Sequence, residues 1–171
     1  MAPSPLKPAS YDDLFMLFEQ WRSFEKPPSY NGAPDYREET FGERWPSFVQ
    51  LREELTSMDT AGWSIADQVD WHILWAEMNG YSFNHRILKP WQRDPAFYKS
   101  VWMARSDVPA HEGPTHHAVT ELWTYEFPVT GGEKERLLKD LRVIPALNEQ
   151  AKTNLTGNAK DLWVTGIRDI R

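Results

Sequence analysis

The densest run of potential metal ligands is His111-Glu112-Gly113-Pro114-Thr115-His116-His117, with Glu121 four residues beyond His117. Zinc hydrolases set two histidines four apart on one helix, so that both imidazoles meet one ion while an intervening Glu polarises its water. His111 and His116 are five apart, and Gly113-Pro114 interrupts any helix between them. The pattern therefore fails on spacing and on backbone. His117 and Glu121 share an i, i+4 relation, but two ligands are too few for a site. Adventitious or structural histidines are the favoured reading. Metal binding through His111, His116, His117 and Glu121 stays open as the lesser one.

A second group of candidates lies on one helical pattern. Asp70, Glu77 and Asn84 recur every seven residues and fall nearly in line, with Asp67 close by. Such an edge is either solvated and paired, or it is a row of carboxylates facing a cleft and able to move protons. Pairing with Arg86 or Arg93 is an equally good account of it. His72 and His85, on the same helix, read as core or edge histidines. There is no GxSxG elbow, no GxxxxGK[ST] phosphate loop and no GxGxxG turn. No cysteine is present, which excludes disulfides, thiolate metal sites and cysteine nucleophiles. On these grounds no catalytic, cofactor-binding or metal residue is assigned.

The helix carrying those carboxylates runs within Gly62–Tyr98. Ser64 offers an N-cap, Asp67 an acidic capping-box partner, and Pro90 stops the helix by about Lys89. Its apolar residues form two stripes. One holds Ile65, Val69, Ile73, Ala76, Phe83 and Ile87; the other holds Trp71, Leu74, Met78, Tyr81 and Leu88, with Trp75 beside it. A helix apolar on so much of its circumference is expected to be sandwiched by neighbours, which makes it the central helix of the fold.

Around it the chain reads as helices. Residues 1–9 form an extended, mobile lead-in with three prolines. Ser10 and Asp13 cap a helix whose buried face is Leu14, Leu17, Phe18, Trp21 and Phe24. Lys26–Asp35 is a loop. Tyr36–Met58 is helical, kinked or restarted at Pro46, with Phe41, Trp45, Phe48, Leu51 and Leu55 on one side. Thr60-Ala61-Gly62 turns into the central helix. WQRDPAFY gives a turn and a helical turn from Pro95, and SDVPAHEGPT is a loop. Thr115–Phe127 alternates like a strand yet also fits a helix face; with helices all around it and no evident strand to pair with, it is expected to be helical. EKERLLKDLRVI and ALNEQAKTNL follow as helices, the second capped by a left-handed Gly157. Asn158 caps a last helix, AKDLWVTGIRDIR, in which Trp163 and Ile167 need burial. The Asn154-Leu155-Thr156 sequon is too short a pattern to carry weight. The expectation is an all-α array of about six to seven helices around one long central helix, forming a single domain over residues 10–171 that is truncated at its C-terminus.

Composition sets further bounds. The 171 residues are 40% hydrophobic and 26% charged, as in ordinary soluble domains, but nine are Trp. A formal net charge of −6, without any basic aromatic-interleaved stripe, argues against nucleic acid as a partner. No signal peptide or membrane span is visible, so no membrane partner and a cytoplasmic location are expected.

The run WSIADQVDWHILWAEMNGYSFNHRILKPWQRDPAFY, with Pro90-Trp91, Asp94-Pro95 and Tyr98, resembles the bacterial domain of unknown function 885 family. SDVPAHEGPT and FPVTGGEKERLLKDLRVIPALNEQAKTNLTGNAKDLW extend the resemblance, which reaches from about Tyr11 to the last residue. It implies the N-terminal part of a larger zincin-like helical fold, with helices forming one wall of a peptide-substrate cleft. In that family an HE...H helix and a downstream Glu hold zinc later in the chain. The resemblance thus implies a zinc-dependent, peptidase-like hydrolase at full length and no cofactor or catalysis in this chain alone. The alternative, from a different class, is a free-standing helical module binding a protein or peptide in an aromatic-rich groove, supported by the excess of Trp and the lack of a catalytic constellation.

Overall fold

A computed structural model of the chain describes residues 6–103, 120–158, 160 and 164. Two compact units emerge, one from residues 1–26 and 39–88, the other from 27–38 and 89–171.

The first unit is built from three helices: α1 (Tyr11–Glu25), α2 (Glu38–Ser57) and α3 (Ile65–Phe83). Local signals set their ends. The Ser10 hydroxyl accepts from the Asp13 amide while Asp13 accepts from the Ser10 amide, a complete capping box at α1. Those bonds from Ser10 hold the Asp13 carboxyl below its usual range. Ser64 caps α3 by accepting from the Asp67 amide at 3.2 Å. After Phe83 the helix widens into a π turn (Asn84–Leu88), and Lys89 takes a left-handed φ of 43° before Pro90. The stop at Lys89 is where the proline places it. α2 runs through Pro46 as one continuous helix, so of the two expectations the restart does not occur. The amide that Pro46 lacks would have met the Gly42 carbonyl, and both residues are exposed to solvent.

The core of this unit joins Leu14, Leu17 and Trp21 of α1, Phe48, Leu51 and Leu55 of α2, Leu74 and Met78 of α3, and Met58. Three indole N–H groups at its margin find acceptors: Trp63 on the Ala9 carbonyl, Trp71 on the Leu55 carbonyl and Trp21 on Glu77. An aromatic that buries its body yet satisfies its polar atom explains where part of the high Trp content is used. The lead-in is pinned rather than free where it is described: β1 (Lys7–Pro8) pairs in parallel with β4 (Met58–Asp59).

The second unit begins with a hairpin where a loop was expected. β2 (Ser29–Tyr30) and β3 (Ala33–Pro34) pair antiparallel around Asn31-Gly32, both at positive φ (52° and 81°). Asn-Gly between two short strands is the pair that a type I′ turn needs. There follow α4 (Pro90–Arg93), a 3₁₀ turn (Pro95–Tyr98) capped by Asp94, β5 (Val101–Trp102), β6 (Thr120–Glu121), α5 (Gly131–Leu141) and α6 (Val143–Asn154). The expected helix over Thr115–Phe127 is corrected in its described part. Thr120–Glu121 is a strand pairing in parallel with Val101–Trp102, and Leu122–Thr124 is a single 3₁₀ turn. Neither reading fits Trp123, Tyr125 and Phe127: the strand ends at Glu121, before the alternating run, and it forms because a partner exists at Val101–Trp102.

A buried polar network holds the hairpin to α6. Gln150 accepts from the Tyr36 amide at 2.8 Å and donates to the Pro34 carbonyl at 3.0 Å. Asn154 donates to the Tyr36 carbonyl and to the Tyr98 hydroxyl, which itself donates to the Trp91 carbonyl. With both its amide hydrogens engaged and its side chain buried, Asn154 has a structural task, and the sequon it heads is incidental. Gly157 is not a left-handed cap; Leu155 closes α6. Gly157 serves instead to bring two backbones together, its amide donating to the Gln92 carbonyl at 2.9 Å. A Cβ there would lie 2.9 Å from that oxygen and 2.7 Å from Arg93 Cγ.

Helix thus dominates the described residues, but the array of six to seven helices around a long central one is not what they form. Three long helices make the first unit; two shorter ones, with single turns and short strands, make the second. α3 lies at a surface. Its Leu74 and Met78 are buried and Trp71 and Tyr81 half-buried, whereas Ile65, Val69, Ile73, Phe83 and Ile87 face solvent, with Trp75 and Leu88 also largely exposed. One stripe is packed and the other is not. The segment 106–115 and most of 159–171, expected to be a loop and a last helix, lie outside the described residues, Trp163 and Ile167 among them. No helix among the described residues is long and apolar enough to cross a membrane.

Candidate functional site

The uncovered stripe of α3 borders a groove of about 270 Å³ between α1 and α3. Its lining is Tyr11, Leu14, Phe15 and Phe18 from α1, and Asp70, Ile73, Leu74 and Glu77 from α3. Helical spacing puts them there. Tyr11, Phe15 and Phe18 follow i, i+4, i+7 on α1, and Asp70, Ile73 and Glu77 follow i, i+3, i+7 on α3, so each set forms one row. Leu14 and Leu74, both 3% exposed, belong to the core beneath. Phe15 and Ile73, at 55% and 54%, stand open on either side.

The two carboxylates foreseen as a possible cleft edge do line this groove. Asp70 Oδ2 accepts from the Tyr11 hydroxyl at 2.9 Å. That bond, with the charge of Asp70 and more weakly that of Asp67, raises the Tyr11 pKa, because ionised Tyr11 would lose its acceptor and face two negative neighbours. Glu77 accepts from Trp21 Nε1 at 3.1 Å and pairs with Arg22 at 3.0 Å. Arg22 also pairs with Glu25 and lies over the Phe18 ring at 4.9 Å. Burial holds the Glu25 carboxyl above the usual range, with Arg22 working against that shift. The partners are therefore Tyr11, Trp21 and Arg22, not Arg86 or Arg93 as the sequence suggested. Each lies more than fifty residues away in sequence, beyond the reach of any local pattern.

This geometry is suited to contact rather than proton transfer. Asp70 and Glu77 are two turns apart, about 10 Å along the helix axis. Glu77 has both oxygens engaged, one by a cation. Of the other candidates, Asp67 sits in the first turn of α3 and Asn84 is exposed in the π turn. His72 is exposed, with Nδ1 2.9 Å from the Gln68 carbonyl. His85 stacks on Trp45 with ring centroids 4.3 Å apart, among Phe41 and Tyr81, as an edge-of-core histidine.

His111, His116 and His117 lie outside the described residues. Glu121 stands exposed in strand β6, not on a helix. Among the described residues no three His, Asp or Glu side chains are grouped to hold a metal ion.

What the sequence left unread is the groove itself: which apolar rows of α1 and α3 stay open was not legible from their composition. Comparisons of the chain with models of protein families, with curated proteins and with solved structures gave no match in any of the three.

Proposed function

We propose that this chain is a helical binding module whose α1–α3 groove receives an apolar helical segment of a protein or peptide. The observation that carries the reading is the open apolar row of α3, with Ile65 at 82% and Val69 at 51% exposed beside Phe15 and Ile73. Contiguous apolar side chains left in water on a regular helix are the usual mark of a docking face. The row from Ile65 to Phe83 runs about 27 Å, long enough for several turns of a partner helix laid alongside. Covering the exposed half or more of each aliphatic side chain on docking contributes about 1–2 kcal/mol, before the costs of association. A designed helix bearing Leu at i, i+3, i+4 and i+7, titrated into isotope-labelled protein, tests the reading. Amide shifts centred on Phe15 and Ile73 support it, and shifts centred elsewhere or absent contradict it.

A second reading draws on the same open row. In a longer zincin-like chain of the kind the sequence resembles, later helices would cover α3, and the α1–α3 face would form one wall of a peptide cleft. The described residues offer no ligand set for the zinc such a hydrolase needs, so no catalytic step is derived through it. The coding sequence beyond residue 171 decides this reading. An HE...H helix with a downstream Glu supports it, and a reading frame without one sinks it.

A further inference from the structure

Resting on the groove reading above, we infer that the occupant of the α1–α3 face is a basic amphipathic helix, with its Lys or Arg residues seated at the Tyr11–Asp70 end. The two ends of the groove differ in charge. At one end Glu77 meets the Arg22 guanidinium, so its charge is answered within the chain. At the other, the partner of the Asp70 side chain among the described residues is the neutral Tyr11 hydroxyl. Asp67 is near enough to act on that same hydroxyl, and Asp12 and Asp13 occupy the first turn of α1. Asp13 is engaged by Ser10, again a neutral group. Asp70 and Asp67 thus stand together at the Tyr11 hydroxyl where the apolar row begins, with Asp12 and Asp13 on other faces of the first turn of α1, and among the described residues none of the four pairs with a cation.

A partner that covers Phe15 and Ile73 must bring its flanking residues against this acidic end. Lys or Arg there meets the field favourably, and Glu or Asp meets it at a cost. A second copy of this chain is a poor occupant. It carries a formal net charge of −6, and pairing the same face with itself antiparallel would set each acidic end against the Arg22–Glu77 end, whose guanidinium is already shared by Glu25 and Glu77. A helix with a cationic end and an apolar row satisfies both parts of the face at once.

The test uses two designed helices with one Leu-based apolar row, flanked by Lys and Arg in one and by Glu in the other. Binding to the whole chain is read by fluorescence anisotropy at low and high salt. The expected result is tighter binding of the basic helix, with the preference fading as salt screens the exposed charges. Asp70→Asn, which keeps an acceptor for Tyr11, should weaken the basic helix by roughly two- to fivefold and leave the acidic one unweakened or slightly tighter. Ile73→Asn, at an exposed position with little bearing on folding, should weaken binding further. If both helices bind equally and Ile73→Asn weakens both, the groove reading stands and the charge inference is overturned. If neither binds, both are overturned. If sedimentation finds a dimer that Ile73→Asn dissolves, the face belongs to a second copy and the inference is wrong.

Discussion

Ile73 and Leu74 are neighbours in sequence, and the structure puts them in opposite environments. Leu74 is 3% exposed within the α1–α2–α3 core, whereas Ile73 is 54% exposed on the groove wall. Truncating each to alanine separates the packed stripe of α3 from the open one. Leu74→Ala removes buried methyl groups and leaves a cavity among Leu14, Met78 and their neighbours, a change that costs about 2–5 kcal/mol. Taking about 3 kcal/mol, the melting temperature of a chain this size should fall by roughly 6–12 °C. Ile73→Ala gives up less than half of a buried side chain's worth, so its cost should stay under about 1 kcal/mol. Circular dichroism melts and urea titrations of the two variants measure both. Equal losses, or a larger loss for Ile73→Ala, would mean that the Ile65–Val69–Ile73 stripe is covered, and the account of the groove would fail.

Three further outcomes follow from the second unit. Gln150→Ala strips the buried Tyr36 amide of its acceptor and should cost about 1–3 kcal/mol, read as a lower urea midpoint. Gly157→Ala drives a Cβ against the Gln92 carbonyl and should destabilise by roughly 0.5–3 kcal/mol, with faster hydrogen exchange at the Gly157 amide. Burial, with the Asn154 bond opposing it, pushes the Tyr98 hydroxyl from 10.0 up to about 12. Its folded pKa is raised, so its contribution to stability is complete below pH 10 and is lost as pH climbs from 10 to about 12. In an ultraviolet titration, Tyr98→Phe should remove one phenol ionising near the upper end of that window; loss of one ionising near 10 contradicts the burial argument.

How far the sequence reached depended on how local each cause was. Ser10 with Asp13, Ser64 with the Asp67 amide, and the stop before Pro90 act within a turn of helix, and each was legible from residue type and spacing. So was the buried row Leu14, Leu17 and Trp21. The carboxylates Asp70 and Glu77 could be placed on one line of α3 because helical period alone does that. Their partners could not, since Tyr11, Trp21 and Arg22 reach them only through tertiary packing. The two stripes of α3 are similar in apolarity, and periodicity does not say how many neighbours a helix has; that is why a sandwiched helix was expected where one face is open. Thr120–Glu121 went the same way, its strand character resting on Val101–Trp102 across a long connection. The hairpin at Asn31-Gly32 is the exception: a local Asn-Gly signal was present and was outweighed by the surrounding prolines.

The central claim is that the α1–α3 face is a docking surface for a basic amphipathic helix. The most direct measurement is a two-dimensional amide spectrum of the labelled chain, recorded while the unlabelled basic helix is titrated in. The account predicts saturable shifts confined to residues 11–22 of α1 and 65–80 of α3, largest near Tyr11, Phe15, Asp70 and Ile73. Shifts that spread over α5 and α6 instead, or a spectrum unchanged at saturating helix, would contradict it.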